Sequence, residues 1–360
     1  DGTIKCWGYN TSGQIGDGSS TRRLSPTATE SLGSGRTATS ISVGQNHACA
    51  ILDDGSVKCW GSNTYGKLGD GTTTDRDSPT ATASLGAGRT ATAIAAGGSF
   101  TCAILDNGIV KCWGHNGYGQ VGNGGSASQY EDPQETLSFG TGRTATSINA
   151  GNNHVCVILD NGEVQCWGRG NQGQLGRGST DDGSGPTDPP TDLGTGRTAT
   201  AIAAGKQHTC AVLDDGSVKC WGHNAYGQLG DGTTTGRTSP TATDSLGSGR
   251  TATSVTASEF TCAILDDGSV KCWGRNSYGQ IGNGQEVNTD TPVGVLFVGS
   301  DAGTEVRKCP VGHFNSGTQR SWCFQATAGN YVDSEGASSQ TACPSGTTSI
   351  AGSDESSDCS

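Results

Sequence analysis

Methionine is absent from this chain of 360 residues, phenylalanine occurs only 6 times, and hydrophobic residues make up 31% of the whole. So few large apolar side chains cannot fill the thick core of an α/β enzyme. Many short strands joined by small-residue turns suit the composition better. No apolar run approaches the roughly eighteen residues of a membrane-crossing helix, so no membrane span is expected. A leader peptide is not visible, and Asp1 reads as the start of a processed or truncated chain. Basic residues are also in deficit, with 22 Lys and Arg against 34 Asp and Glu, a net charge of −12. A surface that tracks phosphates needs clustered Lys and Arg, so nucleic acid is excluded as a partner.

Glycine (60 residues) and cysteine (15 residues) are abundant. Residues 49–60 read Cys-Ala-Ile-Leu-Asp-Asp-Gly-Ser-Val-Lys-Cys-Trp, two short β-prone runs about a tight-turn sequence. Folding about Asp54 sets Ala50 opposite Lys58, Ile51 opposite Val57 and Cys49 opposite Cys59, close enough to bridge. The cassette recurs at Cys102/Cys112, Cys156/Cys166, Cys210/Cys220 and Cys262/Cys272, each pair 10 residues apart. Structural zinc prefers gaps of about two to four residues, so disulfides are the better reading. Each short bridged loop contributes about 3 kcal/mol. Cysteines used in this way belong to an oxidising compartment, so an extracellular or cell-surface location is expected.

The Cys-Trp-Gly landmark repeats at Trp7, Trp60, Trp113, Trp167, Trp221 and Trp273, a period of 52 to 54 residues. A period of that length signals a propeller or solenoid. One unit holds a small-residue inner strand (residues 90–97), the bridged hairpin (100–106 and 109–113), a long Gly-rich loop (114–124) and a Pro-containing outer strand, as at 78–82. Four strands per unit make a propeller blade. The expected fold is all-β: a propeller of six or seven blades of four antiparallel strands over residues 1–300, followed by a small disulfide-rich module over 301–360. Six outer halves are present but only five inner halves, so Cys6 lacks the partner that the spacing demands. That partner lies either upstream or on another chain.

The segments Asp54-Gly-Ser-Val-Lys-Cys-Trp-Gly-Ser-Asn-Thr-Tyr-Gly-Lys-Leu-Gly-Asp-Gly and Ala95-Ala-Gly-Gly-Ser-Phe-Thr-Cys-Ala-Ile-Leu resemble repeats of the regulator of chromosome condensation family. The resemblance covers about residues 1–300 and implies a β-propeller, commonly of seven blades. It says less of function, since members include exchange factors, inhibitors and secreted proteins. Beyond residue 300, Cys309-Pro-Val-Gly-His-Phe and Cys343-Pro-Ser-Gly-Thr-Thr resemble the Cys-rich modules of ephrin-receptor-like and tumour-necrosis-factor-receptor-like stalks. Cys309, Cys323, Cys343 and Cys359 allow three connectivities, of which sequential pairing is the expected one.

No constellation of catalytic or metal-binding residues rises above the repeat. His47, His154 and His208 share a slot that Phe100 and Phe260 also fill, which points to packing or a turn contact. His115 and His223 follow Trp-Gly where other units carry Tyr9, Ser62, Arg169 or Arg275, a position read as exposed and variable. The Gly-Arg-Thr segments at Arg36, Arg89, Arg143, Arg197 and Arg250 run into strands, so they are turns rather than phosphate cradles. Asp17, Asp70 and Asp231 lack the alternating ligands of a calcium loop. The irregular loops 124–135 and 178–193 are candidate partner contacts. Asn10-Thr-Ser is the one glycan acceptor sequence. Neither an enzyme nor a cofactor is expected. The leading function is a non-enzymatic extracellular structural or adhesive protein, a subunit of a surface filament, fibre or coat. The alternative is a secreted binding module that recognises a protein or a glycan through one propeller face.

Overall fold

The computed structural model describes residues 2–186 and 190–296, with two-residue strands at 313–314, 324–325, 330–331 and 341–342. It divides into two compact units, Asp1–Val295 and Leu296–Ser360. In the second unit His313–Phe314 pairs with Phe324–Gln325 and Asn330–Tyr331 with Thr341–Ala342, both antiparallel. Cys309, Cys323, Cys343 and Cys359 lie outside the described residues.

The first unit is a propeller of six antiparallel sheets. Blade 1 pairs β1 (Lys5–Gly8) with β2 (Arg23–Ala28). Blade 2 holds β3 to β6 (Ala38–Val43, His47–Leu52, Val57–Gly61, Arg76–Ala81). Blade 3 holds β7 to β10 (Ala91–Ala96, Phe100–Leu105, Val110–His115, Gln129–Glu135). Blade 4 has only β11 to β13 (Ala145–Ala150, His154–Leu159, Val164–Gly168). Blade 5 holds β14 to β17 (Ala199–Ala204, His208–Leu213, Val218–Gly222, Arg237–Ala242). Blade 6 holds β18 to β21 (Ala252–Ala257, Phe260–Leu265, Val270–Gly274, Thr289–Gly294).

The hairpin register is Ala50↔Lys58, Ile51↔Val57 and Cys49↔Cys59, and the other four hairpins repeat it. Sγ–Sγ bonds join Cys49–Cys59, Cys102–Cys112, Cys156–Cys166, Cys210–Cys220 and Cys262–Cys272. Cys6 is the free thiol among the described residues; burial pushes its pKa up.

Two expectations about strands need correction. Residues 129–135 are not loop: they form β10, the outer strand of blade 3. Among the described residues blade 4 shows no such strand, and a single bridge between Gly168 and Gly183 stands in its place. The outer-strand prolines differ in exposure: Pro26 of blade 1 is exposed, whereas Pro79 of blade 2 is not. Pro79 sits between the pairs Gly61↔Arg76 and Cys59↔Thr80, where the register shifts, and its ring is buried. The bulge absorbs the residue that cannot donate to the ladder.

The core is repeated between blades rather than pooled at one place. Trp60, Trp113, Trp167, Trp221 and Trp273 are each 0% exposed. Each indole Nε1 donates to a loop carbonyl of the preceding blade: Gln14, Lys67, Gln120, Gln174 and Gln228 respectively, at 2.9–3.1 Å. Gly69 and Gly230 (φ +72° and +69°) make room for the ring, since a Cβ there would fall 2.6 and 2.7 Å from the indole nitrogen. Trp7, at the outward side of blade 1, is 61% exposed. The outward side of β3 is open too, with Ile41 and Val43 at 45% and 68%, whereas Ile94 and Ile202 in the same slot as Ile41 are buried.

Candidate functional site

The histidine slot is a blade-to-blade connector, not a turn contact. His47 Nε2 meets Thr101 Oγ1 of the next blade at 2.9 Å, His154 meets Thr209 at 3.0 Å and His208 meets Thr261 at 2.8 Å. Each threonine hydroxyl donates to the carbonyl that also receives the tryptophan: Lys67, Gln174 and Gln228. The hydroxyl hydrogen being committed, the imidazole must donate from Nε2. Burial drives the pKa of His47 down to about 3, His154 to about 4 and His208 to about 3, so all three are neutral. Where the slot holds Phe100, the facing residue is Val155, and both belong to one apolar cluster. Sequence reasoning missed this pairing because the partners lie 53 to 55 residues apart.

The five inner strands bring their ends together around one mouth. Residues 43–45, 96–98, 150–152, 204–206 and 257–258 line a cavity of about 220 Å³. Glycines and alanines dominate the rim, leaving Gln45, Asn152 and Lys206 as its larger polar groups. Lys206 Nζ lies 2.6 Å from Glu259, whose other oxygen accepts from Arg275 at 2.9 Å. Hydrogen bonding from Lys206, with the two nearby cations, holds the Glu259 carboxyl below its ordinary range.

The long loops that follow β5, β9, β13, β16 and β20 leave from the same end of the strands. Each begins beside the inner turn, as His115 N bonds Ser99 O and His223 N bonds Gln207 O. The position read as exposed and variable carries an aromatic and cationic ladder. The Tyr65 ring lies 4.6 Å from His115, and His115 lies 5.9 Å from Tyr118. Arg169 of blade 4 then covers Tyr118 at 4.7 Å. Gln172 breaks the run. It resumes with His223 and Tyr226 at 6.0 Å, Arg275 over Tyr226 at 5.3 Å, and Arg275 beside Tyr278 at 5.9 Å. The signal was present in sequence as Tyr at the fifth residue after Trp and His or Arg at the second. What a single repeat could not reveal is that each Tyr serves the next blade. Tyr65 is held at φ 70°, the one non-glycine in that region among the described residues. The strain costs about 1–2 kcal/mol and sits within the ladder.

Gln120 and Gln228 fix the imidazoles. Their Oε1 atoms accept from the backbone N–H of Tyr118 and Tyr226 at 2.8 and 2.9 Å. Their Nε2 atoms therefore face Nδ1 of His115 and His223, at 2.8 and 2.9 Å. Burial lowers both histidine pKa values.

The remaining candidates are structural. Asn10 is 0% exposed; its Nδ2 donates to the carbonyls of Ser19 and Thr21, and its Oδ1 accepts from Ile15 N. The amide nitrogen that a glycan would need is thus committed inside the fold. Asn63, Asn224 and Asn276 repeat the arrangement. Burial alone would raise the carboxyl of Asp70, but hydrogen bonds from Thr72, Arg76 and Asn63 prevail and hold it low. The Asp70 carboxylate is paired with the Arg76 guanidinium at 2.7 Å. Arg36, Arg89, Arg143, Arg197 and Arg250 pair with the hairpin-turn aspartates at the opposite end of the strands. No group of three or more His, Cys, Asp or Glu side chains could hold a metal among the described residues. Nor is any helix there long and apolar enough to cross a membrane. Of loop 178–193, residues 187–189 lie outside the described residues; just before it, Arg177 donates to Cys166 O on β13.

The model of the RCC1-like domain matches residues 3–351 of the chain. The ultraviolet-B receptor UVR8 of Arabidopsis thaliana is 32% identical over 298 residues, covering 82% of this chain and 66% of its own. Human E3 ubiquitin-protein ligase HERC2 is 29% identical over 285 residues, covering 79% of this chain. The chain thus spans just under two thirds of the first relative's length and only 6% of the second's. Among solved structures, Prp20p of Saccharomyces cerevisiae superposes with a TM-score of 0.71 at 20% identity, covering 82% of this chain and 73% of its own. Human WBSCR16 gives 0.62 at 19%, covering 82% and 95%. At these identities the structures speak for the fold alone.

Proposed function

The chain belongs to the family of RCC1-like domains, and from that premise we propose that it is a protein-binding propeller that acts without chemistry of its own. Its partner is held at the end of the blades that carries the mouth and the tyrosine ladder. The observation that carries this reading is the ladder. Tyrosine and arginine are the residues on which protein interfaces concentrate their energy, and here five blades aim them at one surface. A propeller of the same fold, Prp20p, is described with binding properties towards Gsp1p and histones. Site-directed photo-cross-linking tests the reading. A benzophenone side chain placed at Tyr226 should yield partner adducts, and one placed at Asp54, at the far end of the strands, should not. Equal yields from both positions overturn it.

A second reading is an extracellular structural or adhesive subunit joined by disulfides. It is favoured by Cys6 on β1, a free thiol on a strand that pairs with β2 alone among the described residues. A strand arriving with its own disulfide could exchange with this thiol, leaving one new bridge and one released thiol. Non-reducing mass spectrometry decides it: Cys6 joined to another molecule supports the subunit, and a free Cys6 in native material removes it.

A further inference from the structure

We propose that the ladder reads acidic side chains of the partner at two equivalent stations, one around Tyr118 and one around Tyr226. This rests on the protein-binding reading above and specifies the partner's chemistry. The first station sets His115 and Arg169 about Tyr118, and the second sets His223 and Arg275 about Tyr226. At both, the glutamine amide fixes the tautomer. With Nδ1 receiving the Gln120 or Gln228 N–H, the neutral imidazole carries its hydrogen on Nε2. That N–H is the donor the ring has left to offer, and both histidines are only partly buried. A carboxylate accepts at once from an imidazole N–H and a guanidinium fork.

The charge balance points the same way. Arg169 makes no ion pair among the described residues and rests on the Tyr118 face. Arg275 shares Glu259 with Lys206, so two cations meet one anion and a positive charge remains. The whole chain carries −12. An acidic partner is therefore repelled over most of the surface and attracted where the stations lie, which sets its orientation as well as its place. The stations fall two blades apart, with the ladder broken between them at Gln172. A partner thus engages both through two separate acidic side chains rather than one continuous acidic run.

The test uses the full chain and short synthetic peptides that carry two glutamates at graded spacing, beside the same peptides with glutamine. Glutamate peptides should bind, and should weaken as salt rises. The glutamine peptides should bind about tenfold more weakly or worse. R169Q and R275Q should each reduce glutamate-peptide binding about tenfold, a loss of one charge-assisted contact. R36Q, at the far end of the strands, should leave it unchanged while thermal melts confirm all three folded. Equal binding of glutamine and glutamate peptides overturns the acidic specificity, as does wild-type affinity in both R169Q and R275Q. Complete absence of glutamate-peptide binding overturns it too. The protein-binding reading itself stands or falls separately, on adducts formed at Tyr226 with the natural partner.

Discussion

His154 Nε2 lies 3.0 Å from Thr209 Oγ1, whose hydroxyl is in turn given to the carbonyl of Gln174 at 2.9 Å. One proton chain thus ties blade 4, blade 5 and the loop between them. Replacing Thr209 by valine leaves a buried imidazole N–H with nothing to donate to, and should cost about 1–3 kcal/mol. Adding His154→Phe should restore much of that loss, because Phe100 already faces Val155 in the neighbouring interface. Urea unfolding of the two single variants and the double variant measures the coupling. Strict additivity would refute the pairing.

The same buried rings make stability depend on pH. Their folded values, about 3, 4 and 3, lie below the ordinary 6.5, so the unfolded chain binds more protons. The stabilisation is fully present above about 6.5 and drains away as pH falls towards 4, by up to about 1.4 kcal/mol per pH unit for each histidine. The stabilisation from the depressed carboxylates Asp17, Asp70 and Asp231 is fully present above their ordinary 3.8 and is lost only as pH falls below it. Between pH 4 and 6.5 the slope of unfolding free energy against pH therefore reports chiefly the histidines. In His154→Phe/Thr209→Val that slope should fall by about one proton.

Gly230→Ala should be among the most damaging single changes in the chain. Its φ is +69°, and the new Cβ would sit 2.7 Å from the Trp273 indole nitrogen. A loss of about 3 kcal/mol or more follows from strain and the displaced indole together. Gly249→Ala, at φ +68° with open space around it, should cost only about 1–2 kcal/mol. Thermal melting of the two variants separates crowding from backbone strain.

Arg89→Ala should do little. Arg89 and Asp106 pair at 3.1 Å with both side chains substantially exposed, and pairs of that kind contribute about 0–1 kcal/mol. A larger loss in a denaturation curve would mean that the turn, not the ion pair, depends on the arginine.

Expression in a host that attaches N-linked sugar should leave Asn10 bare in folded protein, as peptide mapping would show. Asn63→Ala, which strips the same buried amide from blade 2, should cost about 2–4 kcal/mol, since it leaves Leu68 N and the Thr72 carbonyl unpartnered.

Local features were readable from sequence because their partners are local. The register Cys49↔Cys59 follows from the ten-residue spacing and a turn residue, and the repeat period announced the blades. What failed was what the next repeat supplies. The aromatic run from Tyr65 to Tyr278 was invisible while each repeat was read alone, since Tyr65, Tyr118 and Tyr226 meet His115, Arg169 and Arg275 one blade further on. Residues 129–135 read as loop because Asp132 and Pro133 interrupt the apolar alternation, yet a bulge lets the strand form.

Each tryptophan reaches back to the blade before it, and each buried histidine reaches forward to the blade after it. The contact therefore has a sense of travel, and the array has a head and a tail that are not alike. Among the described residues these contacts clamp blades 2 to 5 on both sides and reach blades 1 and 6 on one side. Amide exchange should then climb inward from both ends, with the hairpins of blades 3 to 5 the slowest to open. A whole repeat could be added or removed without changing the joint, provided its direction is kept.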